Sequence, residues 1–244
     1  MKPQRLIATL AACVCLTVPA AAQKSEKHKI TIDGRPRTYL ALPVAPGGEP
    51  APLLLLLHGS GRDGASIFDP WQSLAKKERI VLVAPDAFNP AGWSFAADGP
   101  DFVRQIIDEV TAGGGVDKRR MYIFGHSAGG HHAIDLGLLE SEYFAAVAVH
   151  AGVLADPGSI LPRADRKIPV SMWNGLEDTI VPVSAARSTL NTLKTAGFPV
   201  LLTEIPRHTH DYYESAGWLN KDVWQALKGA TLPADPKFKS YSIR

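Results

Sequence analysis

The stretch Gly125-His126-Ser127-Ala128-Gly129-Gly130 decides the fold that this sequence predicts. The apolar residues 121–124 before it indicate a strand, and residues 128–139 after it are compatible with a helix. Between a strand and a helix, a G-x-S-x-G sequence forms a sharp turn that projects the serine hydroxyl from the sheet edge. Side chains two positions before and after the serine would collide in that turn, so both positions are glycine. The motif therefore predicts Ser127 as a nucleophile.

Apolar strands alternate with helical segments along the rest of the chain. Residues 53–57 are five consecutive leucines, a pattern typical of a strand buried on both faces of a parallel sheet. Residues 29–43, around Asp33-Gly34, predict an antiparallel hairpin at a sheet edge. Further strands are expected at 80–84, 144–149, 168–173 and 200–205, and helices at 71–78, 101–111, 128–140, 184–197 and 219–228. This order predicts an α/β fold, a doubly wound, mostly parallel sheet with helices on both faces.

Two loops that follow Ser127 in the chain offer an acid and a base. A serine hydroxyl needs a base to take its proton, and the base needs an acid to orient it. In open α/β sheets such groups lie in loops beyond the carboxyl ends of the strands. Glu177 and Asp178 follow one predicted strand, and His208 and His210 follow the next. The order serine, acid, histidine is the order expected of an α/β-hydrolase.

From about residue 38 to residue 228 the chain resembles the α/β-hydrolases, and among them secreted esterases of the polyhydroxybutyrate depolymerase and feruloyl esterase type. The motifs that carry the resemblance are Leu56-Leu57-His58-Gly59, the run Asp117-Lys118-Arg119-Arg120-Met121-Tyr122-Ile123 before the elbow, and Gly175-Leu176-Glu177-Asp178 with Val181-Pro182. The resemblance implies the α/β-hydrolase fold. Residues 152–167, where such enzymes often insert a cap, are too few for a cap domain, so we expect an open site.

The resemblance also assigns roles to the acid and the base. The acid of the family's G-x-x-D loop maps to Asp178, with Glu177 as the alternative. The family's H-x-Y ending fits His210, and His208 remains the alternative base. The chain departs from the family in having Arg207-His208-Thr209 where Gly-Gly-His is common, which leaves the conformation of this loop open.

The oxyanion hole and the substrate contacts are expected in neighbouring loops. Backbone N–H groups suit an oxyanion hole, and one should come from Ala128, directly after the nucleophile. The second is expected from Ser60, with Gly61 as the alternative, in the loop after the five leucines. Aromatic residues near strand ends are candidates for substrate binding; these are Trp93, Phe95 and Tyr212, with Tyr213 as the alternative to Tyr212. We interpret His58 as a structural residue that fixes its loop.

The first 22 residues read as an export signal. A positive start with Lys2 and Arg5, an apolar segment and the small residues before Gln23 predict cleavage after Ala22, and hence a secreted or periplasmic protein. The alternative is a lipoprotein modified at Cys13. Cleavage after Ala22 removes both cysteines and leaves a single domain, 23–244, without thiol chemistry.

Composition narrows the remaining function classes. Without the two basic residues of the signal, the sequence has 24 Lys and Arg and 24 Asp and Glu, so its net charge is near zero. Nothing in this balance suggests a nucleic-acid partner. The sequence predicts no cofactor, no metal site, no stable membrane insertion, and a monomer or weak homodimer. The leading interpretation is a serine carboxylic-ester hydrolase that acts on small, aryl or polymer-linked esters. A peptidase or amidase of the same fold, and a non-catalytic binding protein, are the alternatives.

Overall fold

The computed structural model describes residues 24–44 and 48–239. The expected signal peptide, with its cleavage site and Cys13, lies outside the described residues. The described chain forms one eight-stranded sheet in the order β1-β2-β4-β3-β5-β6-β7-β8. The strands are β1 Glu26–Ile32, β2 Arg35–Leu42, β3 Ala51–Leu57, β4 Val81–Pro85, β5 Val116–His126, β6 Ala146–His150, β7 Val170–Gly175 and β8 Val200–Ile205.

The direction of the strands matches the expected doubly wound sheet. Strands β1 and β2 form an antiparallel hairpin at one edge, and β2 also pairs antiparallel with β4. All the remaining neighbours are parallel. Asp33 and Gly34 connect the hairpin with φ angles of 51° and 72°, the left-handed conformation that Asp and Gly tolerate in such turns. The edge hairpin and the parallel sheet are both confirmed.

Helices cover both faces of this sheet. They are α1 Gly64–Phe68, α2 Gln72–Glu78, α3 Phe95–Asp98, α4 Pro100–Ala112, α5 Ala128–Leu139, α6 Pro157–Ile160, α7 Val183–Thr195 and α8 Ala216–Leu227. Helices α4, α5 and α7 contribute to one hydrophobic core, while α1, α2 and α8 contribute to the other. Successive leucines of β3 point to opposite faces and are fully buried in one core or the other. The five-leucine run therefore joins the two cores.

The helices that the sequence did not predict are the short ones. Helices α1, α3 and α6 contain four or five residues each, too few to show a helical period. Strand β5 is longer than expected because it begins at Val116, within a polar stretch that the apolar pattern does not mark. Between β6 and β7 the chain forms only α6 and the single 3₁₀ turn Leu161–Arg163, so no cap domain is inserted there.

Replacing one leucine of β3 tests the role of this strand. Leu55→Ala removes a fully buried side chain, and we expect it to lower the free energy of unfolding by about 2–5 kcal/mol. The measurement is chemical denaturation, with Leu201→Ala as the matched control, because Leu201 is 71% exposed. Equal effects of the two substitutions would contradict the assignment of β3 to the core.

Candidate active site

The turn after β5 places Ser127 in a conformation that few non-glycine residues adopt. Its φ and ψ angles are 53° and −120°, and its N–H donates to the His150 carbonyl at 3.0 Å. A Cβ atom on Gly125 would lie 2.1 Å from the Gly129 carbonyl oxygen, and one on Gly129 would lie 2.2 Å from the Leu57 carbonyl oxygen. Both glycines are therefore required by backbone contact, which is the explanation that the sequence offered.

Ser127, His210 and Asp178 form a continuous hydrogen-bonded series. The Ser127 Oγ lies 2.8 Å from His210 Nε2, and His210 Nδ1 lies 2.8 Å from Asp178 Oδ2. A carboxylate only accepts hydrogen bonds, so Nδ1 carries the ring proton and Nε2 is free to accept the serine proton. This arrangement can activate a hydroxyl for attack on a carbonyl carbon.

The loop after β7 fixes the Asp178 carboxylate. Its Oδ1 accepts the N–H groups of Ile180 and Val181 at 2.9 and 2.8 Å, and its side chain has no exposed surface. Its neighbour Glu177 is exposed, and the backbone N–H of Glu177 donates to the His208 carbonyl. Of the two acids that the sequence offered, the structure brings Asp178 to the histidine.

His208, the alternative base, points away from the nucleophile. Its Nε2 lies 2.8 Å from His150 Nε2, and its carbonyl packs against Gly175, where a Cβ atom would lie 2.0 Å from it. The serine contact belongs to His210. The sequence could not separate the two because both residues lie in one loop, and their directions are shown only by their contacts with other segments.

The loop after β3 approaches the elbow from the other side. His58 fixes this loop, because its Nε2 accepts the Ala87 N–H at 3.1 Å and its Nδ1 donates to the Gly59 carbonyl at 2.8 Å. The Gly61 N–H already donates to the Pro90 carbonyl at 2.7 Å. That bond leaves Ser60, rather than Gly61, as the candidate donor to an oxyanion. Ala128 is the first residue of α5, directly after the nucleophile.

Residues 54–241 match the model of the alpha/beta hydrolase family. The chain belongs to this family. It is 29% identical over 187 residues to the putative esterase NocK of Nocardia uniformis subsp. tsuyamanensis, covering 67% of this chain and 52% of that protein. It is 30% identical over 149 residues to feruloyl esterase B of Piromyces equi, covering 55% of this chain and 27% of that protein. The chain therefore spans about half or less of the length of these curated relatives.

Solved structures share the fold of this alpha/beta hydrolase. The fluorophosphonate-binding serine hydrolase FphF of Staphylococcus aureus, solved with substrate bound, superposes with a TM-score of 0.72 at 13% identity. The match covers 85% of this chain and 99% of that one. At this identity the similarity shows the common fold alone.

The aromatic candidates of this hydrolase occupy three different environments. Trp93 is half-buried, and its indole N–H donates to the His58 carbonyl at 2.8 Å. Phe95 is half-buried against His132 and lines a cavity. Tyr212 was expected to bind substrate, and the structure corrects this: it is fully buried, and its hydroxyl donates to the Asn220 Oδ1 at 2.7 Å. Tyr212 is therefore a core residue.

A buried carboxylate that the sequence did not reveal organises the segment that carries Trp93. Asp98 accepts hydrogen bonds from Arg37 at 2.5 Å and from the Phe88 N–H at 2.8 Å through Oδ1, and from the Ser94 N–H at 3.1 Å through Oδ2. Both Asp98 and Arg37 are almost completely buried. The pairing of an arginine in β2 with an aspartate about 60 positions later leaves no local pattern, so only the fold exposes it.

The cavity lined by Phe95 has a volume of about 580 Å³, and none of Ser127, Asp178 and His210 is among its lining residues. It also borders Asp135, eight residues after Ser127 and thus about 12 Å further along the helix axis. Burial, with a contribution from the charge of Asp156, raises the pKa of Asp135 to about 7. Within the described ranges, the Asp135 Oδ1 is buried and has no hydrogen-bond partner.

Two kinds of feature are absent from the part of the chain that the structure describes. No group of three or more His, Cys, Asp or Glu residues there is arranged to hold a metal ion. Among the helices of residues 24–44 and 48–239, none combines the length and apolar character needed to cross a bilayer.

The raised pKa of Asp135 predicts a pH-dependent gain in stability on its removal. The folded protein binds this proton more tightly than the unfolded chain does, so Asp135 makes folding less favourable as the pH rises from about 4 to about 7. We expect Asp135→Asn to raise the melting temperature at pH 8 and to have little effect at pH 4. Thermal melts across this range, with the exposed Asp222→Asn as control, measure the difference. A gain of the same size at both pH values would contradict the assignment.

Proposed function

We propose that this protein is a serine carboxylic-ester hydrolase in which Ser127, His210 and Asp178 form the catalytic triad. The observation that carries the proposal is the pair of 2.8 Å hydrogen bonds that connects the three side chains. Both of these curated relatives are named as esterases, although each is matched over only part of its length.

The geometry supports a two-step mechanism. His210 Nε2 takes the proton of Ser127 as its Oγ attacks the ester carbonyl carbon, and Asp178 stabilises the imidazolium that forms. The N–H groups of Ala128 and Ser60 would stabilise the negative oxygen of the tetrahedral intermediate. His210 then protonates the departing alcohol, which leaves an acyl-enzyme. A water molecule, activated by the same histidine, releases the acid and restores the serine.

The conformation of Ser127 favours an enzyme over a binding protein. A non-glycine residue at φ 53° is strained, and such strain persists only where the surrounding structure enforces it. Here the strain directs the hydroxyl at His210 Nε2. A protein that only bound a ligand would need neither the strained turn nor the buried acid behind the histidine.

Small, aryl and polymer-linked esters are the proposed substrates. The segment between β6 and β7 builds no cap over the site, which leaves room for bulky esters.

Hydrolysis of nitrophenyl esters from acetate to palmitate tests the proposal. Ser127→Ala and His210→Ala should each lower kcat by about 10³-fold or more, because the triad acts as a unit. Asp178→Asn should lower it by about 10²–10⁴-fold, since the histidine loses its orienting partner. The chain-length profile of the wild-type protein measures the size of the acyl site.

The exposed Ser184→Ala is the matched control and should retain wild-type activity. Full activity of Ser127→Ala would refute the assignment of the nucleophile. Faster cleavage of nitroanilides than of the corresponding nitrophenyl esters would instead support the peptidase or amidase alternative.

We also propose that the protein is exported through cleavage after Ala22. N-terminal sequencing of protein recovered from the periplasm or medium of a bacterial host should give Gln23 as the first residue. Recovery of a lipid-modified protein beginning at Cys13 would support the lipoprotein alternative instead.

A further inference from the structure

Three histidines that the proposed mechanism does not use form a hydrogen-bonded series under the site, which we name the imidazole chain. His126 Nδ1 lies 3.0 Å from His150 Nδ1, and His150 Nε2 lies 2.8 Å from His208 Nε2. His150, the central ring, is completely buried and uses both of its nitrogens. At the outer end, His208 Nδ1 lies 3.4 Å from the Ser215 Oγ.

The register of the sheet creates the first contact of the chain. Strands β5 and β6 are parallel neighbours, and His126 pairs directly with His150 at their carboxyl ends. His208 reaches His150 from the loop after β8. The sequence alone does not reveal this contact, because it depends on the pairing of β5 with β6.

The backbones of the same histidines hold the catalytic loops. The His150 carbonyl accepts the Ser127 N–H at 3.0 Å, so this residue contacts the nucleophile directly. The His208 carbonyl accepts the N–H of Glu177, the neighbour of Asp178, at 3.0 Å. His208 also lies two positions before His210. The imidazole chain and the triad therefore form a closed ring of contacts through three separate loops.

Backbone strain occurs beside each histidine of the imidazole chain. Three of the five non-glycine residues with positive φ in the described chain lie there: Ser127 at 53°, Ala151 at 50° and Arg207 at 54°. Ala151 directly follows His150, and Arg207 directly precedes His208. Strained residues of this kind keep their conformation only where tertiary contacts enforce it. The side-chain contacts between the three histidines are suitably placed to do so.

The imidazole chain consists of uncharged histidine rings. Burial lowers the pKa of His126 to about 3 and that of His150 to about 2, and it also lowers the pKa of His208. In neutral rings each nitrogen–nitrogen contact needs one N–H and one lone pair, so all the protons must point in the same direction along the chain. The side chains that face the three rings are Asp178, His210, Asp211, Tyr212, Tyr213 and Trp218.

We infer that the imidazole chain fixes the nucleophile loop and the base loop at the separation that ester hydrolysis requires, with His150 and His208 as positioning residues. This inference rests on the proposed esterase function. Its physical basis is the steep dependence of such reactions on geometry, since a displacement of about 1 Å can cost about 100-fold in rate.

A pair of substitutions at His208 tests the inference. His208→Leu removes the partner of His150 Nε2, and we expect kcat for nitrophenyl acetate to fall by about 10–100-fold with KM changed by less than about twofold. His208→Gln places an amide near the position of the imidazole Nε2 and should recover most of the lost kcat. His28→Leu, on the edge strand β1, is the matched control and should behave as the wild type.

A fall in kcat with little change in KM distinguishes a positioning role from a merely structural one. Melting temperatures of all variants show whether each is folded at the assay temperature. Wild-type kcat in His208→Leu would overturn the inference, and so would equal losses of kcat in the leucine and glutamine variants. A loss of kcat in His208→Leu that is largely recovered in His208→Gln supports it.

A second measurement needs no ester turnover. In Ser127→Ala protein with ¹⁵N-labelled histidine, NMR should show one protonated and one bare nitrogen in His126 and in His150 from pH 8 to pH 5. His208→Leu should change the ¹⁵N chemical shifts of the ring nitrogens of both residues. Rings that titrate independently over this range would overturn the inference. Failure of the proposed function looks different: the wild-type protein would hydrolyse no ester, while the NMR signature of the chain would remain.

Discussion

The close approach of helix α5 to strands β3 and β5 is the constraint on which the rest of this structure depends. The helix begins so near the sheet that Gly125 and Gly129 have backbone atoms where a side chain would need to be. The chain can turn from β5 into α5 only if Ser127 adopts its strained conformation. The serine hydroxyl is thereby directed beyond the carboxyl ends of the parallel strands, where the other loops converge.

Convergence alone would not create a reactive site, because a serine hydroxyl is a weak nucleophile without a base. Asp178 supplies the fixed point: its carboxylate is buried, and two backbone N–H groups hold one of its oxygens. Its other oxygen orients His210, and His210 in turn meets Ser127. The site is thus fixed at its buried end and open at the serine, which suits a reaction on substrates that arrive from solvent.

Local patterns in the sequence predict most of the fold, because each pattern follows from a single physical requirement. The five leucines indicate a strand covered on both faces, and the two glycines of the elbow indicate a contact that excludes side chains. Interactions between distant segments are the ones that the sequence hides. The ion pair between Arg37 and Asp98 is an example, since neither residue stands out locally.

The choice between the two candidate bases also depends on contacts between distant segments, although both residues lie in one loop. His208 and His210 are two positions apart, and the resemblance favoured His210 without excluding the other. The structure separates them through their contacts: His208 meets His150 at the end of β6, and His210 meets Ser127. Tyr212 was misassigned for a related reason: its burial depends on α8, which supplies Asn220 as the hydrogen-bond partner of its hydroxyl.

The proposed function depends on the activation of the Ser127 hydroxyl by the fold. Its most direct test is to treat the folded protein with a fluorophosphonate, which reacts with activated serines, and to locate the adduct by mass spectrometry of the digested protein. We expect one adduct, on Ser127, that does not form when the protein is unfolded before treatment. An unmodified Ser127 in the folded protein, or an adduct on another serine, would contradict it.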